Sequence, residues 1–243
     1  MSKEIANWKQ ALTEAAEKTA KTERPAESTI SLKGGIMNYQ GEALAGNTLE
    51  CVIIASSFAR TCYDRMYDPD DLAPPDCFAN AIDQVDLVAH ENVPNPRADI
   101  CTEKACESAV FGSALVGRGP LCKTRRKLIV MPTSALTGNL ADAELATIST
   151  PPTSAKNWST YASTVASASG LPPWAVKTRI ISKPHPKKQF EITFEAIESI
   201  EDETLLAAIH GRVAEAENML LTPFTYDQEE APSKPAKTGK KKY

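Results

Sequence analysis

An α+β fold follows from three features of this chain. Five segments read as β-strands, by period-2 alternation or by β-branched, apolar content, and one helix-period segment lies between the third and fourth of them. A Pro- and Asp-rich insert between the second and third strands carries four cysteines. The expectation is an OB-fold-like five-stranded barrel with a metal-stabilised insertion and flanking N- and C-terminal helices.

Residues 3–21 read as a surface helix. Ile5, Trp8, Leu12, Ala15 and Ala16 form a thin apolar stripe, and Pro25 ends it. Residues 29–33 alternate, Gly34 and Gly35 permit a bend, and residues 36–39 continue extended, with turn signals at Gln40-Gly41 and Gly46-Asn47. Residues 48–63 are β-branched and apolar, long enough for one bent or bulged strand. Cys51 and Cys62 fall inside that run and read as buried free thiols.

Periodicity then lapses until Cys122. Beyond it, residues 126–131 (RKLIVM) read as the third strand. A polar connection through Pro151-Pro152 leads to a helix over residues 154–169, capped by Thr153 or Ser154 and ended by Gly170. Residues 175–183 and 189–197 alternate cleanly on either side of PHPKK and read as a hairpin. Residues 201–221 form an amphipathic helix with Leu205, Ile209, Val213 and Leu220 inward, stopped by Pro223. The domain reading is an N-terminal helix over 1–25, an OB-like domain over 26–224 with the insertion at about 68–125, and a disordered charged tail over 225–243.

The chain of 243 residues is 42% hydrophobic, enough for a sizeable core, and no apolar run approaches the ~20 residues that cross a bilayer. The first residues lack the apolar stretch of a signal peptide, so a cytoplasmic location is expected. In a reducing compartment, six cysteines are better read as metal ligands or small buried hydrophobes than as disulfides.

Cys101 and Cys106 are separated by four residues, and Cys77 and Cys122 close the loops on either side. Four thiolates suit a tetrahedral structural zinc, whose binding free energy would fold a segment too polar to build its own core. An iron–sulfur cluster would use the same four residues. His90 lies in the segment and could replace one of them, although a lone histidine is more often a packing residue.

Net charge is −4, so bulk basicity points to no polyanion, but the cations are clustered. Arg118, Lys123, Arg125, Arg126 and Lys127 occur without an intervening acid, and Lys177, Arg179, Lys183, Lys187 and Lys188 form a second stretch. Flat rings for stacking on bases are offered by Tyr39, Tyr63, Tyr67, Phe78, Phe111 and Trp174, of which Tyr63, Tyr67 and Trp174 flank strand ends. No GxSxG, HExxH, HxE…PCxxC or P-loop pattern is present, and a non-enzymatic protein is expected.

The strings SLKGGIMNYQGEALAGNT and YDPDDLAPPDC, the cysteine pair followed by FGSALVGRGPLCKTRRKL, and the later KKQFEITFEAI resemble a family of bacteriophage and prophage cysteine-containing proteins. That resemblance covers most of residues 28–224 and implies a replication or recombination accessory protein that binds single-stranded DNA in the host cytoplasm. The cysteine pair here is wider than is usual in that family, and the tail ends in lysines. The competing reading is a metal-stapled interaction or scaffold protein that binds other replication or virion proteins.

Overall fold

A computed structural model describes residues 28–66 and 73–223. The expected N-terminal helix, the charged tail and Tyr67 lie outside the described residues. In chain order come β1 (Thr29–Ile30), β2 (Asn38–Tyr39), β3 (Glu42–Ala43), β4 (Thr48–Cys62), β5 (Cys77–Ala81), β6 (Lys123–Pro132) and β7 (Ala146–Thr150). Helix α1 (Ala155–Ser169) follows, then β8 (Val176–His185), β9 (Gln189–Ser199), α2 (Glu203–His210) and α3 (Val213–Leu221).

Strand β4 organises the molecule. Its alternation sends Leu49, Cys51 and Ile53 to one face and Val52 and Ile54 to the other, both buried, and its register shifts between Ile53 and Ala55 in the expected bulge. One edge of β4 pairs with β6 from Cys51 to Thr61. The other edge is shared: Thr48–Val52 pair with β8, and Phe58–Cys62 pair with β5. Among the described residues the resulting mixed sheet has seven strands, ordered β1-β7-β6-β4-β8-β9 with β5 on β4, and β1–β7 is its parallel pair.

The sheet curls. Lys33–Gly35, which leaves β1 at one edge, lies against β8 and β9 at the other: Ser182 Oγ donates to the Gly35 carbonyl at 2.6 Å, and the Phe190 side chain rests on Gly35. Helix α1 fills the concave side. It starts after the Pro152 turn and ends at Gly170, whose φ of 67° closes the helix in the left-handed conformation glycine adopts without strain. Its buried stripe, Trp158, Tyr161 and Val165, packs on Ile148, Ile180 and Ile192, with Phe194 edge-on to Trp158 at 5.3 Å. On the opposite face α2 and α3 cover Val52, Ile54, Ile129 and Met131 with Ile209, Ala216 and Leu220.

Three elements differ from the sequence expectation. The C-terminal helix is two helices broken at Gly211-Arg212, where the Arg212 guanidinium donates to the carbonyls of Leu140 and Ala143. The polar connection contains β7, held between β6 and β1. The insert contains β5, a strand because β4 offers it an edge. No helix among the described residues is long and apolar enough to cross a membrane.

Candidate metal centre and nucleic-acid interface

The end of β4 that faces the insert gathers five of the six cysteines; Cys51 is buried apart from them in the α1-side core. Cys62 is the last residue of β4 and is fully buried. It stands directly opposite Cys77 of β5, and both pack with Cys122, Phe78 and Val93. Cys101 packs beside Ala79 and Leu87, its N–H donating to the Leu87 carbonyl at 3.0 Å. The Cys106 N–H donates to the Thr102 carbonyl, and the carbonyl of Ser108, two residues on, accepts from the Cys122 N–H at 2.7 Å.

The thiols differ in how readily they ionise. A hydrogen bond between Cys62 and Cys122 draws the Cys62 thiol down to about 7 against the effect of burial, with the Arg97 guanidinium and Ser108 assisting. The same contact, with burial, drives Cys122 up. Burial raises Cys77, opposed by the main-chain N–H of Arg97, which donates to it. Burial also pushes Cys101 up to about 11, opposed by Arg60. Arg97 bridges the cluster to its flanks, donating to Ser108 Oγ at 2.9 Å and pairing with Asp64. Arg60 Nε is buried with no hydrogen-bond partner among the described residues. Among the described residues, no three His, Cys, Asp or Glu side chains are placed as a group that could hold a metal ion. His90 stacks on Phe78 at 4.8 Å, and its Nδ1 accepts from the Asn92 N–H.

The two basic stretches are set apart. Arg125 stands opposite Ala59 and Arg179 opposite Glu50, nine residues along β4 or about 30 Å at ~3.3 Å per residue. On the hairpin, Lys177, Arg179 and Lys183 are paired with Glu198 at 2.6 Å, Glu50 at 2.7 Å and Glu195 at 3.4 Å. Three acids thus offset three cations, while Lys187 and Lys188 stand exposed at the hairpin tip. At the insert end, Arg118, Lys123 and Arg125 have no ion-pair partner among the described residues. Lys127 is half-buried beside them. Arg126 turns to the α1 side, its guanidinium 3.2 Å from the Phe58 ring centroid and donating to Ser159 Oγ. Burial lowers its pKa to about 10.

The rings divide likewise. Tyr63 is 39% exposed with Arg125 and Arg65 beside its hydroxyl, and Phe111 is 74% exposed on the loop that carries Arg118. Tyr39 is half-buried, donating to Glu144 Oε2 at 3.1 Å. Trp174 packs into the α2–α3 core, its ring 5.5 Å from that of His210. Phe78 is buried under His90.

Two features carry no signal in the sequence. Cys62 joins the thiol cluster, which only the strand register reveals. A groove of about 840 Å³ runs between α1 and β9, lined by Val165, Phe194 and Ile197, with Lys156 and Glu198 also on its walls. No protein-family model matches this chain, and neither a curated protein nor a solved structure was found similar to it.

Proposed function

We propose that this protein is a non-catalytic binder of single-stranded DNA, of phage type, acting in replication or recombination. Its contact surface is the insert end of β4–β6. The observation that supports this is the company kept there: Lys123 and Arg125 without carboxylate partners among the described residues, Tyr63 half-exposed beside Arg125, and the Phe111–Arg118 loop alongside. Phosphates need such cations, bases need such rings, and neither contact reads sequence strongly. The salt-paired hairpin is a poor polyanion surface by comparison. The curled sheet with α1 on its concave side is compatible with barrel-like closure, and we read it as OB-like.

The same proposal includes one structural zinc ion held by the thiols of Cys77, Cys101, Cys106 and Cys122, with an iron–sulfur cluster on the same four residues as the alternative. Four thiolates on a divalent ion leave a net charge near −2, which Arg60 and Arg97 are placed to balance, and the partnerless Arg60 Nε fits a donor awaiting a sulfur anion. Bound metal would staple the insert and so hold Arg118 and Lys123 in place on either side of Cys122.

The test is a fluorescence-anisotropy titration of labelled oligo-dT at low and moderate salt, with zinc and iron measured on the same sample. Salt-sensitive binding by metal-loaded protein is expected. Absence of binding at low salt with metal present overturns the DNA reading and favours the interaction-protein alternative. One observation specific to that alternative is the apolar surface of the insert loop, where Val110, Phe111, Leu115 and Val116 are 46 to 74% exposed.

A further inference from the structure

The backbone constrains which thiols can share one ion. Cys62 and Cys77 are a directly opposed pair on adjacent antiparallel strands. The β4–β6 register ends at Thr61 opposite Lys123, so its continuation by one residue sets Cys62 opposite Cys122. Cys77, Cys62 and Cys122 therefore form one row across β5, β4 and β6, and directly opposed residues project from the same face of a sheet. Opposed Cβ atoms lie about 5 Å apart, within easy reach of a common ion. Cys77 and Cys122, two strands apart, are separated by about 10 Å of backbone.

Two sulfurs on one zinc lie no more than ~4.6 Å apart, since each bond is about 2.3 Å. An ion bound by both outer cysteines must consequently sit over the middle of the row, where the Cys62 thiol already is. Cys62 is in hydrogen-bonding contact with Cys122 and packs against Cys77.

We propose that Cys62 is itself a ligand, the central one, so that Cys62, Cys77 and Cys122 supply three thiolates of the metal centre and one cysteine of the Cys101–Cys106 pair supplies the fourth. This rests on the metal-centre reading above and revises its ligand set. Rotation about the χ1 angles of the row, with no change of strand register, turns the three sulfurs toward one point. Five thiols for four positions leave one spare, and it lies in the Cys101–Cys106 loop rather than on a strand.

Cobalt(II) in place of the native metal counts the thiolates, because the sulfur-to-cobalt charge-transfer band scales with their number. Full-length wild-type protein is expected to show four. Cys62→Ser should lose about a quarter of the band, as one ligand of four is removed. Of Cys101→Ser and Cys106→Ser, one should keep the full band and the other lose a quarter. If Cys101→Ser and Cys106→Ser each lose a quarter, both cysteines of that pair are ligands and the proposed set of Cys62, Cys77, Cys122 and one of the pair is overturned, whether or not Cys62→Ser folds. A full band in a folded Cys62→Ser that also carries serine at the spare position of the Cys101–Cys106 pair overturns it directly. Wild-type protein that binds neither cobalt nor zinc removes the metal centre altogether, a result distinct from both.

Discussion

Asn157 donates from Nδ2 to the main-chain carbonyl of Ile192 at 2.8 Å, so the first turn of α1 is bonded directly to the open edge of β9. The Ile192 N–H donates to Ser154 Oγ, also at 2.8 Å. Both main-chain groups of Ile192 are thereby satisfied by side chains where, among the described residues, no further strand pairs.

That clasp should be measurable. Asn157→Leu and Ser154→Ala should each cost about 1–2 kcal/mol, because each leaves a main-chain group of Ile192 without its partner. The pair should be non-additive, since the two bonds hold one residue. Urea denaturation of the two single variants and the double variant tests this; a change below about 0.5 kcal/mol for both single variants would show that water replaces the clasp.

Gly35 is where the curl of the sheet meets its far edge. Its φ is +83°, and a Cβ there would lie 3.0 Å from Phe190 Cβ, whereas Gly41, at φ +85°, has open space around it. Gly41→Ala should show the backbone penalty alone, about 1–2 kcal/mol. Gly35→Ala should exceed it by a further ~1 kcal/mol or more, because the Phe190 side chain must shift. Equal destabilisation of the two variants in urea would mean that Phe190 yields freely.

On the proposed DNA surface, the two basic stretches should behave differently. Lys123→Ala combined with Arg125→Ala should reduce the salt slope of oligo-dT binding by about 0.7 for each phosphate that is no longer neutralised. Arg179→Ala, whose guanidinium is already taken by Glu50, should leave the slope within error. Equal effects would place DNA along the whole of β4, and the hairpin carboxylates would then have to give way.

If the proposed metal is bound, removing it should loosen the insert first. A site filled at a thousand times its dissociation constant adds about 4 kcal/mol, a melting shift on the order of 10 °C for a chain of this size. Differential scanning calorimetry before and after a strong chelator reads that shift, and one equivalent of zinc should restore it. An unchanged transition would mean that β5 and its flanks hold without a metal.

What the sequence made legible was the regular part. The hairpin stands at Val176–His185 and Gln189–Ser199, over the two segments whose alternation predicts it, and α1 ends at Gly170 where expected. Strand β7, ATIST, is hard to read because its small and hydroxyl side chains have little periodic contrast and its partners are β6 and the distant β1. Strand β5, CFANA, is hard to read because Ala and Asn do not favour strands. The break at Gly211 depends on Arg212 reaching the Leu140 and Ala143 carbonyls, some seventy residues away. At the candidate site, the cysteines of the insert were legible as a group. Cys62 was not, because its place beside them is a matter of register, and register is written in pairings between strands.

The divided edge of β4 has a consequence for the way the protein breathes. Amides of Phe58–Cys62 that bond to β5 are protected only while the insert stays closed, whereas those of Thr48–Val52 are locked by the hairpin and the core behind it. A single continuous strand should therefore show two tiers of hydrogen exchange, the β5-facing amides of Phe58–Cys62 opening with the thiol-bearing insert and the amides bonded to β6 or β8 opening with the whole molecule. On that expectation the long strand serves as a spine, one stretch of its edge unbuttoning from β5 while its pairing with β6 holds.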